Sequence, residues 1–133
     1  MFKETVTFTD YNGVEITKDY YFHLNEAEIM EMELGTEGGL AEKIETIVKA
    51  QQRPTIIKTF KEILLKAYGE KSADGSRFKK SADISEAFEQ SPASPILFMK
   101  YATDADAGAK FVNGIMPSDK QMSAEQLHDR PGQ

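Results

Sequence analysis

Residues 5–24 read TVTFTDYNGVEITKDYYFHL and predict a β-hairpin at the start of the fold. Asn12-Gly13 is a turn signal between two runs in which apolar and polar residues alternate. A two-residue loop would divide the apolar residues between the two faces, whereas a three-residue loop over 11–13 with Gly13 in the left-handed conformation keeps them together. That register places three pairs opposite each other: Phe2 and Phe22, Glu4 and Tyr20, Phe8 and Ile16.

The apolar residues of this hairpin then share the even-numbered face: Phe2, Val6, Phe8, Val14, Ile16, Tyr20 and Phe22. Threonines and charged residues occupy the odd-numbered face, so one face is expected to be buried and the other wet. Because a lone two-stranded hairpin is only marginally stable in water, helices or a partner must cover the apolar face.

Three helices are predicted after the hairpin. Asn25 and Glu28 form a capping box at the start of the first helix. Apolar residues at helical spacing predict the second helix over about 40–50. The third helix is expected to begin at Pro54 and to reach Tyr68, where Gly69 would supply a left-handed stop. Residues 77–80 leave room for a short extended piece.

Three shorter helices follow, beginning at Ser81, at about 96 and at Asp104. The middle one, over about 96–102, is apolar almost all round, so it is either central in the core or shared between the core and a partner. The last one ends near 113–114 and carries small residues that allow another backbone to approach closely: Ala105, Ala107, Gly108 and Ala109.

Together these elements predict an α+β fold that is mostly α, with the N-terminal β-hairpin packed on a bundle of about five or six short helices. At 133 residues the chain is expected to form one globular domain over 1–117. Residues 1–24 form its hairpin and residues 25–117 its helical part. Residues 118–133 show no apolar period and are expected to form a flexible, disordered tail.

The composition favours protein partners. The net charge is −6, with a balance of −8 over residues 1–45 and of +2 over residues 46–133, so opposite charges can attract within one fold or between copies. An acidic chain argues against nucleic acid as the primary partner. No run of about 18 apolar residues suggests a membrane span, and the N-terminus lacks a signal-peptide layout, which predicts a cytoplasmic protein.

The residues that most enzymes and metal sites require are scarce. The chain has no cysteine, and its two histidines, His23 and His128, lie far apart in sequence. Asp104 and Asp106 resemble the start of a calcium loop, but Ile115 stands at its twelfth position, where a glutamate is needed. Helix capping therefore explains Asp104 better, and the sequence predicts no catalytic site, no metal and no cofactor.

Four segments of the chain resemble the small tail assembly chaperones of long-tailed, siphovirus-type phages of Gram-positive bacteria. They are TVTFTDYNGVEITKDYYFHL at 5–24, LNEAEI at 24–29, FKEILLKAYGEKSADGSRF at 60–78 and DADAGAKFVNGIMP at 104–117. The resemblance implies a protein that binds the tape measure protein, and the major tail tube protein, before the tube polymerises. It also implies a protein of the host cytoplasm that is absent from the finished virion. In this family a longer product is often made by ribosomal frameshifting, so the resemblance implies that such a product here would extend from the tail after Pro117.

Such a chaperone would bind an amphipathic helix of its client against an apolar surface. The apolar residues in excess of the core's needs are the candidate partner-binding residues: Leu65, Phe98, Met99 and Tyr101. Leu65 falls outside the apolar arc of the third helix. Self-association is possible as well. Two other functions fit the same sequence, namely a tail or head–tail connector subunit that stays in the virion, and a small acidic binding or inhibitory protein.

Overall fold

A computed structural model of the chain describes residues 1–34 and 54–117. The predicted helix at 40–50 and the predicted tail at 118–133 lie outside these ranges. The described residues form an α+β fold with an N-terminal hairpin, as predicted. In chain order the elements are β1 (Phe2–Thr9), β2 (Glu15–Phe22), α1 (Glu26–Leu34), α2 (Pro54–Ala67), β3 (Tyr68–Lys71), β4 (Phe78–Lys79), α3 (Ala82–Glu89), α4 (Ala93–Thr103) and α5 (Ala105–Gly114).

The hairpin has the predicted register. Phe2 lies opposite Phe22 and Phe8 opposite Ile16, in antiparallel pairing. Gly13 has a φ of 82°, the left-handed conformation that the three-residue loop requires. The side chain of Asp10 adds a contact that the sequence pattern did not indicate, because its Oδ1 accepts the N–H groups of Asn12 and Val14, each at 2.9 Å.

Burial of the apolar face of the hairpin decreases toward the turn. Val6, Tyr20 and Phe22 are buried, but Val14 beside the turn is 55% exposed. The prediction that the whole even-numbered face is covered is therefore wrong at this end. The reason is that the described helices pack against the open end of the hairpin, where β1 contacts α4.

The third predicted helix ends one residue early, and Gly69 is not its left-handed stop. Helix α2 ends at Ala67, and the chain continues directly into β3, which pairs with β2 through Tyr21–Gly69 and Phe22–Tyr68. Strand β3 then pairs with β4, which confirms the short extended piece at 77–80. The region 25–117 is therefore not wholly helical, and the described sheet has four strands in the order β1-β2-β3-β4.

Aromatic packing explains why Tyr68 leaves the helix. Its ring stacks on that of Phe88 with centroids 4.2 Å apart, and it meets the edge of Phe22 at 5.7 Å. Both contacts require Tyr68 to lie beside β2. Burial of two large rings outweighs the small gain from one more helical residue.

Gly69 is required by close packing. A Cβ atom at this position would lie 2.6 Å from Cε2 of Phe78 and 2.9 Å from the carbonyl oxygen of Lys79. The ring of Phe78 thus packs directly over the glycine, on the face of the sheet opposite Tyr68.

We expect Gly69→Ala to lower the free energy of unfolding by about 1–3 kcal/mol, because the added methyl group overpacks this contact. Urea unfolding of the variant measures the loss. Phe78→Leu removes the two ring atoms that lie nearest to the added methyl group. The Gly69→Ala/Phe78→Leu double variant should therefore be more stable than the sum of the two single changes predicts. Simple additivity would contradict this explanation.

The core is a continuous group of aromatic rings centred on Phe22, which is fully buried. Its ring meets those of Phe88 at 5.7 Å and Phe111 at 5.3 Å, in addition to Tyr68. A second stack joins Tyr101 to Phe111 with centroids 4.5 Å apart. Strands β2 and β3 and helices α3, α4 and α5 all contribute a ring to this group.

The predicted helix starts are confirmed at four of the described helices, among them α2, which begins at Pro54. The N–H of Glu28 donates to Asn25 Oδ1 at 2.8 Å, and the N–H of Asn25 donates to Glu28 Oε1 at 2.9 Å. Ser81 caps α3 and Asp104 caps α5. Helix α4 begins at Ala93, earlier than predicted, because Pro95 falls in its first turn, where no intrahelical N–H bond is lost.

Lys80 links three elements at the end of β4. Its ammonium donates to both carboxylate oxygens of Glu28, at 2.9 and 2.7 Å, and to the carbonyl oxygen of His23 at 2.7 Å. The side chains of Lys80 and Glu28 are partly buried. Burial lowers the pKa of Lys80, while its hydrogen bonds to Glu28 favour the charged form.

Replacing Lys80 by methionine leaves the Glu28 carboxylate and the His23 carbonyl without their shared donor. We expect the free energy of unfolding to fall by about 1–3 kcal/mol. The exposed neighbour Lys79 provides a matched control, since Lys79→Met should change stability by less than about 0.5 kcal/mol. Equal effects of the two substitutions in urea unfolding would show that the buried link contributes nothing specific.

Candidate interaction surface

The two sides of helix α4 differ in burial, and exposed Lys100 and Thr103 accompany the apolar side chains of its outer side. Leu97 and Tyr101 on its inner side belong to the core. On its outer side Ile96 is 45% exposed and Met99 54% exposed, and Pro95 is exposed as well. Phe98, at the border, is half-buried. We call Pro95, Ile96, Phe98 and Met99 the α4 outer face.

The inner side of α4 is fixed by a polar contact as well as by packing. The hydroxyl of Tyr101 donates to Glu4 Oε1 at 2.6 Å, and the ammonium of Lys100 lies 3.0 Å from the same oxygen. Burial raises the pKa of the Tyr101 hydroxyl, and the Glu4 carboxylate raises it further. Because Glu4 belongs to β1, this group determines which side of α4 faces the hairpin.

Helix α5 packs closely against the end of α4, as its small residues predicted. A Cβ atom on Gly108 would lie 2.7 Å from the carbonyl oxygen of Tyr101. The ring of Phe111 stacks on Tyr101 one turn further along α5. With its inner side occupied by β1, α2, α3 and α5, α4 presents the other side outward.

The four predicted partner-binding residues lie in different environments. Met99 is exposed, and Phe98 lies half-buried beside it. Tyr101 is only 3% exposed and supports the fold from within, because its ring and its hydroxyl are both engaged inside the domain. The sequence pattern could not distinguish these three residues, since α4 is apolar almost all round.

Leu65 lies away from the α4 outer face. It is half-buried and lines an open depression of about 360 Å³ together with Lys66, Tyr68, Lys80 and Ser85. None of Phe98, Met99 and Tyr101 lines this depression. Phe98 and Met99 therefore both belong to the α4 outer face, whereas Leu65 does not.

Sequence reasoning missed Ile96 as a surface residue. It lies three positions before Met99, and residues at this spacing are neighbours on one side of a helix. The positions of Leu97 and Tyr101 identify the inner side of α4, and Ile96 lies outside that side. Four further large apolar side chains of the described residues are exposed elsewhere: Met1, Tyr11, Val14 and Met30.

The described residues contain little that could perform metal chemistry. Within residues 1–34 and 54–117, no group of three histidine or carboxylate side chains is placed to hold a metal ion. His23 Nδ1 is buried without a hydrogen-bond partner, and burial lowers the pKa of this ring. In the same ranges, no helix is both long enough and apolar enough to cross a membrane.

Comparison with known protein families decides what kind of protein has this surface. The model of a family described as phage tail assembly chaperone matches residues 1–131. The chain belongs to the phage tail assembly chaperone family. Its resemblance to such chaperones is thereby confirmed at the level of the family, while the Gram-positive host and the long-tailed phage type stay predictions. No curated protein and no solved structure shows significant similarity to this chaperone-family chain.

The buried tyrosines are expected to make stability fall at alkaline pH. Burial raises the pKa of Tyr68 to about 12, with Glu70 adding to the effect, and raises that of Tyr101 as well. In the unfolded chain a tyrosine ionises near pH 10. Above that pH the unfolded state loses protons that the folded state keeps, so the free energy of unfolding must decrease as pH rises.

We therefore expect urea unfolding between pH 8 and pH 11 to show a loss of stability that begins near pH 10. Tyr101→Phe should make the loss less steep, and Tyr68→Phe should do the same. Tyr11→Phe, at the exposed turn, is the control for removing a tyrosine hydroxyl. A wild-type stability that is constant up to pH 11 would contradict the burial argument.

Proposed function

We propose that this chain binds the tape measure protein during phage tail assembly and keeps it soluble until the tail tube forms around it. The α4 outer face is the observation that carries the proposal. It presents two exposed apolar side chains, Ile96 and Met99, next to half-buried Phe98 on one helix. Membership of the chaperone family makes a protein client the natural occupant of such a surface.

The chemistry of the α4 outer face suits an amphipathic helix. Methionine and isoleucine side chains fit the apolar side of many related helices, and the flexible methionine adapts to irregular shapes. A long tape measure helix exposes repeated apolar stripes that would otherwise associate with one another. A client-binding domain with a net charge of −6 keeps such a complex soluble by mutual repulsion.

The same proposal places the protein in the host cytoplasm, in contact with the major tail tube protein, and outside the finished virion. Release before completion of the tail follows if the growing tube covers the apolar stripes that the chaperone held. A longer frameshifted form would carry the same α4 outer face. A slippery heptamer in the nucleotide sequence near the codon for Ser118 would identify that form.

Substitution of the α4 outer face tests the proposal. Ile96→Gln and Met99→Gln together should weaken binding of the tape measure protein by at least tenfold, because central apolar contacts dominate the affinity of most interfaces. The fold should persist, since both side chains point away from the core. Co-expression followed by co-purification, with the soluble fraction of the tape measure protein as a second readout, measures the effect.

Met30 offers a matched control. It is 64% exposed on α1, so Met30→Gln changes the same side-chain chemistry outside the α4 outer face. Retained binding by the Ile96/Met99 double variant would exclude this surface as the client site. Equal loss in the Met30→Gln control would indicate a general effect of removing exposed apolar side chains. Detection of the chain in purified virions would contradict the transient role.

A further inference from the structure

Strand β1 is the open edge of the described sheet. The strand order is β1-β2-β3-β4, so β1 pairs on one side only, and it runs for eight residues without a proline. At the other end of the sheet, β4 has only two residues. A long, regular edge strand is a template for pairing with another strand.

The hydrogen-bonding groups of this edge can be assigned from the hairpin geometry. The N–H of Asp10 donates to the carbonyl oxygen of Val14 at 2.8 Å, so the backbone of even-numbered residues points toward β2. Successive residues of a strand alternate in direction. The residues that direct their N–H and C=O groups outward are therefore Lys3, Thr5, Thr7 and Thr9, all of which are exposed.

We propose that two copies of this chain associate edge to edge, with β1 of each copy pairing antiparallel with β1 of the other about a two-fold axis at Thr5. Antiparallel self-pairing satisfies the outward donors and acceptors of both copies at once. In this register Lys3 lies opposite Thr7 of the second copy, and Phe2 lies opposite Phe8 of the second copy. The four-stranded sheets of the two copies then form one continuous eight-stranded sheet.

The side chains of β1 favour a second copy as the occupant. The strand carries only two charged residues, Lys3 and Glu4, and neither meets a like charge in this register. Glu4 is already engaged by Lys100 and Tyr101 of its own chain. Phe2 and Phe8 are half-buried, so their pairing across the axis covers aromatic surface that one copy leaves exposed.

The interface is expected to be weak and reversible. Pairing of one eight-residue strand with its copy buries less area than a stable dimer interface needs, which places it among transient contacts. A dissociation constant on the order of 10 μM to 1 mM fits such a contact. This association does not depend on the proposed function, and the surface involved is separate from the α4 outer face.

Proline substitution at an outward position tests the pairing without breaking the hairpin. Thr7→Pro removes an N–H that points away from β2, so the β1–β2 bonds persist, and edge strands tolerate proline at such sites. We expect the wild-type mass in sedimentation equilibrium to rise from 14.9 kDa toward twice that value with concentration. Thr7→Pro should weaken this association at least tenfold, and the control Thr7→Ala, which keeps the N–H, should not.

Disulfide cross-linking tests the register independently. The natural chain has no cysteine, so a single introduced cysteine reports only on its own position. Opposite residues of a hydrogen-bonded antiparallel pair have Cα atoms about 5.5 Å apart, within disulfide range. Thr5→Cys, at the axis, should therefore cross-link on mild oxidation, whereas the control Thr9→Cys should not.

Three results would overturn the proposal. The first is a wild-type chain that stays monomeric up to about 1 mM, beyond the range expected for a transient contact. The second is a dimer that persists in the Thr7→Pro variant, or equal cross-linking of the Thr5→Cys and Thr9→Cys variants. The third is slow hydrogen exchange at the Thr5 and Thr7 amides of a monomer, which would assign the edge to another part of the same chain. If Thr7→Pro does not fold, the cysteine pair decides alone.

Discussion

The burial of Phe22 is the constraint on which the rest of the structure depends. Its ring is fully enclosed by aromatic rings from β3, α3 and α5. Enclosure on these sides requires β3 to pair with β2, and it requires α5 to return to the hairpin after α4. Buried aliphatic side chains, among them Leu24, Ile63 and Leu97, pack around this group of rings and complete the core.

Two polar contacts orient the elements around this core. Lys80 joins the start of α1 to the end of β4 through Glu28, and Glu4 joins β1 to α4 through Lys100 and Tyr101. Each places a charged group next to a partner of opposite charge where water is partly excluded. Such contacts contribute less free energy than the rings do, but they select one orientation among several that would bury the same apolar area.

The way these elements pack around the core also leaves two surfaces open. Helix α4 is apolar almost all round, and β1, α2, α3 and α5 pack against its inner side, so its other side faces outward. Strand β1 has the hairpin partner on one side and no described partner on the other. A helix face for an apolar client and a strand edge for backbone pairing are different kinds of contact, and one small domain can offer both without competition between them.

Local signals in the sequence were sufficient for the hairpin and for most helix starts, but not for the end of α2, the start of α4 or strand β3. Asn12-Gly13 with strict alternation determined the hairpin register, and Asn25, Ser81 and Asp104 marked helix starts, because these depend on residues only a few positions apart. Membership of a chaperone family was likewise accessible from the wording of four segments.

What the sequence by itself could not determine were contacts between distant residues. Gly69 read as a helix stop because its packing against Phe78 exists only once β3 and β4 pair. Tyr101 and Met99 looked equivalent on a helix that is apolar all round, and only the positions of Glu4 and Phe111 decided that one is buried and the other exposed.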